Sequence, residues 1–190
     1  MLDQLISWDK EMFTLLNGLG QPAWDPFWMF ITNKFGSIPL YLAMLGMAIY
    51  FLGRKKTLVL LVVIALMIAA TDQLANVFKY GFERLRPCYD PDLEGLVRLV
   101  KDNCGGQFGY FSAHAANSFA VAAFFAIGFK RYLRILPLFL FLWAAMVAYS
   151  RIYIGVHFPL DVITGMAVGL LNGTLFYLLY RWAVKTFNLS

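Results

Sequence analysis

Apolar positions run almost unbroken through residues 38–53, 57–78, 113–129, 133–149 and 159–180. Each run approaches the roughly 20 residues that a helix needs to cross a bilayer. Each also stops at polar or turn-forming residues: Gly53 and Arg54–Lys56, the polar end of 57–78 after Ala70, Lys130 and Arg131, Ser150 and Arg151, and Arg181. Residues 1–20 have a different pattern. Leu5, Trp8, Met12, Leu15, Leu16 and Leu19 share one helical face while Asp9, Lys10 and Glu11 fall elsewhere, which predicts a short amphipathic helix suited to the membrane interface. Gly20 and Pro22 end it. Asp25 as N-cap, with Pro26 at the first helical position, then opens a short aromatic segment through Thr32 that stops near Lys34–Gly36. The pattern leaves open whether that segment crosses the bilayer, enters part-way or continues into the next helix. The expectation is an all-α membrane protein, one integral-membrane domain over residues 1–190. It is a bundle of about five to six transmembrane helices with a short amphipathic N-terminal helix.

Composition agrees. The 190 residues are 61% hydrophobic and 14% charged, whereas soluble domains are about 45–50% apolar and about 25% charged. The N-terminus lacks a basic stretch followed by an apolar core, so no cleaved signal peptide is expected. The location of the net charge of +5 is informative. Arg54, Lys55, Lys56, Lys130, Arg131, Arg134, Arg181 and Lys185 lie in short connections or the tail without accompanying acids, as the positive-inside rule expects of cytoplasmic segments. Alternating spans then put the connection 79–111 and the stretch 150–158 together on the opposite face. Basic patches interleaved with stacking aromatics are absent, which argues against nucleic acid as a partner.

Three polar stretches meet on that outer face. In the first, Asp72, Asn76 and Lys79 follow i, i+4, i+7 along one helix face, and Arg86 lies seven residues on, before Pro87, which favours an extended conformation at Arg86. The polar face reads equally as helix–helix hydrogen bonding or as a wall leading to a site. In the second, Ser112 precedes the span at 113 as an N-cap, and His114 follows, where unpaired N–H groups favour anions. In the third, Arg151 supplies a planar fork for phosphate or carboxylate, and Asp161, four residues from His157, can fix the imidazole tautomer. The chain's only two histidines are His114 and His157. Cations, a helix N-terminus, two histidines and an orienting carboxylate form the inventory of a phosphate site. Glu83 and Arg84 read as a solvated pair, and Trp143, Tyr149 and Tyr153 as interface belt or packing residues.

These stretches, Lys79-x6-Arg86-Pro87, Ser112-x-His114 and Ser150-Arg151-x5-His157-x3-Asp161, resemble in order and spacing the three-part signature of the type 2 phosphatidic acid phosphatase superfamily, in its membrane-bound lipid phosphatase branch. The first and third parts fit in full. In the second, Phe111 and Ala113 stand where the family usually has proline and glycine. The missing proline removes a rigid turn, and alanine disfavours a positive φ. The resemblance implies that His157 attacks phosphorus to give a phosphohistidine, that Asp161 orients it, and that His114 protonates the leaving oxygen and then activates water. It implies that Lys79, Arg86, Ser112, the Ala113 N–H and Arg151 hold the phosphoryl oxygens. The cations meet the charge of transfer, so neither a metal nor a cofactor is called for.

The resemblance further implies a multi-pass enzyme of the bacterial inner membrane, its site facing the periplasm or exterior, whose substrate is a lipid phosphate or diphosphate held in the bilayer. Among these, the resemblance favours undecaprenyl diphosphate as substrate. Phosphatidylglycerol phosphate, phosphatidic acid and lipid A phosphates are the alternatives, with a lipid phosphotransferase or a non-enzymatic lipid-phosphate-binding protein behind them. Cys88 and Cys104, the only cysteines, both fall in the outer connection, where they can pair as a disulfide or remain free.

Overall fold

A computed structural model describes residues 1–189. Six α-helices make up the described chain: α1 (Leu2–Gly18), α2 (Asp25–Thr32), α3 (Ile38–Phe82), α4 (Ala113–Phe129), α5 (Leu136–Tyr153) and α6 (Pro159–Thr186). Three stretches are long and apolar enough to cross a membrane, Phe35–Phe82, Leu136–Tyr153 and Pro159–Thr186, and Ala113–Phe129 is a shorter apolar helix.

The helix α3 contains two of the expected spans. At about 1.5 Å per residue its 45 residues would reach about 68 Å if straight, twice a hydrocarbon core of about 30 Å. It is broken at Gly53, whose φ of 77° and ψ of 168° are not helical. Glycine adopts that conformation without steric cost. The chain doubles back there, so that Tyr41 of the first arm and Ile68 of the second line one cavity.

The core is organised by α4 against α6. Gly165, Gly169 and Gly173 recur every four residues on α6 and face Ala116 and Ala120 of α4 so closely that a Cβ at Gly169 would lie 2.2 Å from the Ala116 carbonyl oxygen. Small residues at this spacing let membrane helices approach backbone to backbone. The close approach also holds the N-terminus of α4 beside that of α6, where Ser112 N–H donates to the Asp161 carbonyl at 3.0 Å.

Near the N-terminus α1 is two-faced, as its sequence pattern predicts. The apolar stripe Leu5, Trp8, Met12, Leu15 and Leu19 is exposed, while Asp9, Phe13 and Asn17 are buried against the protein. Asn17 joins three elements: its amide donates to the carbonyls of Arg98, Ile152 and Tyr153 and accepts from Arg98 N–H at 2.8 Å. The exposed apolar face and the face packed on the protein are therefore opposite sides of α1. Asp25 does not cap α2. The N-cap is Trp24, and the Asp25 carboxylate instead takes Arg98 at 2.6 Å and the Tyr153 hydroxyl at 2.9 Å. At eight residues α2 is about 12 Å long, too short to cross, and a 3₁₀ turn from Lys34 to Ser37 leads into α3.

Candidate active site

The helix α3 does not carry Arg86. It ends at Phe82, Glu83 takes a left-handed φ of 48°, and Arg86 follows in extended conformation before Pro87. The connection is then fixed to itself. Arg86 N–H donates to Gln107 at 3.0 Å, Arg86 Nε to the Phe108 carbonyl at 3.2 Å and Arg86 Nη1 to the Cys104 carbonyl at 2.9 Å. Cys88 and Cys104 form a disulfide with Cα atoms 6.4 Å apart.

Phe111 is fully buried and packs on Phe78 with ring centroids 5.3 Å apart. Packing thus anchors this turn where the family usually has proline. Ser112 caps α4 by accepting from Ala115 N–H at 3.4 Å. Ala113 is the first helical residue, and positive φ among described non-glycine residues occurs only at Glu83 and Asn188. The alanine therefore meets no backbone conflict.

In the third stretch, Arg151 lies in the last turn of α5, where a cation complements the helix dipole. Gly155 then turns the chain at φ 83°, and a Cβ there would lie 2.7 Å from the Arg98 carbonyl. His157 and Asp161 are four residues apart but do not share a helical turn, because α6 begins at Pro159. Instead they meet across its start, with His157 Nδ1 3.5 Å from Asp161 Oδ2. That separation is long for a hydrogen bond. Asp161 Oδ2 also accepts the Phe158 N–H at 3.0 Å, which satisfies one of the helix's unpaired donors.

Lys79, Arg86, Ala113, His114, Arg151 and His157 line one cavity of about 440 Å³. Asp161 is fully buried behind His157, and Ser112 is fully buried in its capping role, outside the residues that line the cavity. His157 is 3% exposed. Burial, reinforced by the positive charges of Arg151, Arg86 and Lys79, holds its imidazole well below the usual histidine range and therefore neutral. With Nδ1 turned to Asp161, Nε2 is the nitrogen left for the cavity.

Four further residues belong to this arrangement. Arg84 is not a solvated partner of Glu83: Nη1 donates to Asp161 Oδ1 at 2.7 Å, and Nη2 reaches Asp9 Oδ2 of α1. Asp9 Oδ1 accepts the Leu160 N–H at 2.8 Å, so two carboxylates serve the start of α6 and one guanidinium joins them. Burial disfavours the charge on Arg84, and Asp161 and Asp9 outweigh it, raising its pKa. Thr32 of α2 accepts from Arg151 Nη1 at 2.5 Å. Lys101 stands close enough to Arg151 and Arg86 that burial and their charges lower its pKa. Only Arg84 carried a sequence signal, its place between the two site cations Lys79 and Arg86.

Comparison with known proteins decides the family. The PAP2 superfamily model matches residues 57–185, which includes all three signature stretches. The chain belongs to the PAP2 superfamily. It is 36% identical over 179 residues to a lipid A 4'-phosphatase of Bacteroides thetaiotaomicron, covering 93% of this chain and 79% of that protein. It is 33% identical to the lipid A 4'-phosphatase of Porphyromonas gingivalis, covering 96% of this chain and 77% of that protein. The crystal structure of Aquifex aeolicus LpxE superposes with a TM-score of 0.67 at 28% identity, over 87% of this chain and 92% of that one. As a PAP2 protein with this helical architecture, the chain is a membrane lipid phosphatase.

Proposed function

We propose that this PAP2 protein removes phosphate from a lipid A-type glycolipid, at the 4' position of its disaccharide, with the site facing away from the cytoplasm of a bacterial inner membrane. The observation that carries the choice is the wall beyond the phosphate cations. Thr32, Asn33, Ser37, Asp72, Asn117 and Ser118 line the same cavity as Lys79, Arg86 and Arg151 and as the side chains of Tyr41, Ile68 and Trp143. Asn117 Nδ2 donates to Asp72 at 2.8 Å, and its Oδ1 is buried without a partner. A buried acceptor without a donor costs about 1–3 kcal/mol. A phosphorylated amino sugar brings hydroxyl and amide donors to that place, whereas a polyprenyl chain brings none. Similarity to the two lipid A 4'-phosphatases points the same way. Together they favour the glycolipid over undecaprenyl diphosphate, the substrate expected from sequence.

In the chemistry, neutral His157 attacks phosphorus through Nε2 while Lys79, Arg86, Arg151 and the N-terminus of α4 at Ala113 hold the three non-bridging oxygens. The N–P bond forms as the bond from phosphorus to the sugar oxygen breaks, and His114 delivers a proton to that oxygen. Asp161 faces the positive charge that grows on the His157 ring. Water then attacks the phosphohistidine, His114 takes its proton, and inorganic phosphate leaves with His157 neutral again. Two displacements replace one hard one. Ser112 acts by capping the helix that presents Ala113 and His114.

The test is phosphate release by the full-length protein in detergent from a lipid A bisphosphate, undecaprenyl diphosphate, phosphatidylglycerol phosphate and phosphatidic acid, with His157→Ala as control. The reading expects the highest kcat/KM on the lipid A bisphosphate and loss of release, with lipid binding retained, in His157→Ala. A higher kcat/KM on undecaprenyl diphosphate would restore the prenyl reading. No release from any lipid by the wild-type protein would favour the binding-protein class.

A further inference from the structure

A second cavity lies away from the one lined by the two histidines. About 750 Å³ lies at the opposite end of the bundle, between the start of the second arm of α3 and the C-terminal ends of α4 and α6. The helical path from Lys79 back to Lys56 is about 35 Å, and that from Asp161 to Lys185 is similar, so the two cavities are separated by about a bilayer core.

Five cations line it, Lys56, Lys130, Arg131, Arg181 and Lys185, and none of the lining residues is acidic. Arg131 is already engaged, its guanidinium 4.5 Å from the centroid of the Tyr132 ring. The other four have no ion pair among the described residues. Phe124, Phe129, Tyr177 and Tyr180 line the apolar part, and Phe124, Phe129 and Tyr180 are buried. Lys130 and Arg131 follow the end of α4, and Arg181 and Lys185 lie in the last two turns of α6. The cations therefore sit at the helix ends, with Phe129 and Tyr180 beside them and Phe124 and Tyr177 one to two turns further in. Solubility alone would need the cations but not the recess. An apolar ligand would need the recess but not four unpaired cations.

We infer that this cavity binds an anionic phospholipid of the cytoplasmic leaflet, its phosphodiester among Lys56, Lys130, Arg181 and Lys185 and the first part of its acyl chains along the aromatic floor. Basic pockets between membrane helices on the cytoplasmic side suit such head groups. A phosphodiester bound here is out of reach of His157, so the lipid is a resident and not a substrate.

Native mass spectrometry of the full-length protein released from detergent tests this, with phosphatidylglycerol and phosphatidylcholine as probes and inorganic phosphate as competitor. Wild-type protein should retain phosphatidylglycerol in preference to phosphatidylcholine. The variant Lys130→Gln/Arg181→Gln/Lys185→Gln should lose that retention by about tenfold or more, since each basic residue near an anionic lipid contributes appreciably. Phosphate release from lipid substrate should continue in this variant, which also reports that it is folded. Where the triple variant does not fold, Arg181→Gln alone, at an exposed position, should show a smaller loss in the same direction. Equal retention of phosphatidylcholine, full retention of phosphatidylglycerol by the variants, or displacement of the lipid by millimolar phosphate would each overturn the proposal, the last in favour of a free-phosphate site.

Discussion

Arg84 Nη1 donates to Asp161 Oδ1 at 2.7 Å, and the same guanidinium joins Asp9 on the N-terminal helix. The carboxylate that faces His157 is thus held from the far side by a residue outside the signature. Removing one partner of a buried, hydrogen-bonded ion pair leaves the other charge uncompensated. We expect Arg84→Gln to let Asp161 rotate and to lower kcat by about 100-fold, the size of effect that small misplacements of reacting groups produce, with KM nearly unchanged. Arg84→Lys should not restore the rate, because a single ammonium cannot span two carboxylates as a guanidinium fork does. Steady-state kinetics on one lipid substrate checks both. A rise in KM with kcat preserved would place Arg84 in phosphate binding instead.

The depressed pKa of His157 fixes the sign of a stability effect. In the folded protein the ring stays neutral well below the ordinary histidine value, while in the unfolded chain it gains a proton near pH 6.5. Below that pH the unfolded state binds more protons, so stability falls as pH falls, by up to about 1.4 kcal/mol per pH unit for one group. Thermal unfolding of the substrate-free protein between pH 7 and pH 5 should show this slope, and His157→Gln should flatten it. An unchanged slope in His157→Gln would assign it to other groups.

How much of this was legible beforehand depended on whether a residue's partner lay nearby in sequence. The apolar runs identified the helices, because span length and the positive-inside asymmetry are local features of the chain. The signature spacings brought Lys79, Arg86, His114, Arg151 and His157 to one cavity. Residues whose roles depend on distant partners were misread. Arg84 looked solvated because Asp9 and Asp161 stand 75 and 77 residues away from it. Asp25 looked like a cap because its partner Arg98 lies in a loop. The Gly165, Gly169 and Gly173 stripe was readable as small residues at fixed spacing, but only its partner helix showed that it sets the separation of the helix starts next to His114 and His157.

That stripe is the next point to test. A Cβ at Gly169 would meet the Ala116 carbonyl at 2.2 Å and Phe119 Cβ at 2.9 Å. Backbone must move to admit it. Overpacking costs typically about 1–3 kcal/mol, and the displacement would spread α4 from α6. Gly169→Ala should therefore lower the thermal midpoint and also lower kcat, because His114 rides on α4 and His157 precedes α6. Wild-type stability and activity together would show that the helices adjust locally.

On the proposed mechanism, the disulfide should affect substrate binding through Arg86. Cys88 and Cys104 are separated by 16 positions, and the Cys104 carbonyl accepts from Arg86 Nη1 at 2.9 Å. Closing a loop of about this length contributes roughly 3 kcal/mol in the chain-entropy picture. Cys88→Ser/Cys104→Ser should therefore lower the thermal midpoint and raise KM by loosening Arg86, with a smaller change in kcat. Lipid phosphate hydrolysis over a range of substrate concentrations separates the two. Unchanged KM would mean that the Phe108 carbonyl and the Gln107 backbone bond suffice to hold Arg86.

Substrate choice should turn on Asn117. Its Nδ2 is taken by Asp72 while its Oδ1 is buried without a partner, so a shift that uncovers Oδ1 to the cavity lets it accept from a sugar hydroxyl or amide without giving up its own bond. Asn117→Leu keeps similar bulk, removes the acceptor and leaves Asp72 without its donor. A site built to hydrogen-bond a polar substrate group loses most against that substrate and little against one lacking the group. We expect kcat/KM on a lipid A bisphosphate to fall by about 10–100-fold, consistent with one lost buried hydrogen bond of about 1–3 kcal/mol. On undecaprenyl diphosphate the same variant should be unchanged or slightly better, because a prenyl chain makes no use of the polar wall. Parallel assays of both lipids on one preparation give the ratio directly and cancel differences in protein quality. An equal loss on both substrates would mean that Asn117 only holds α4 to α3, and the polar wall would then no longer favour a glycolipid over a prenyl diphosphate.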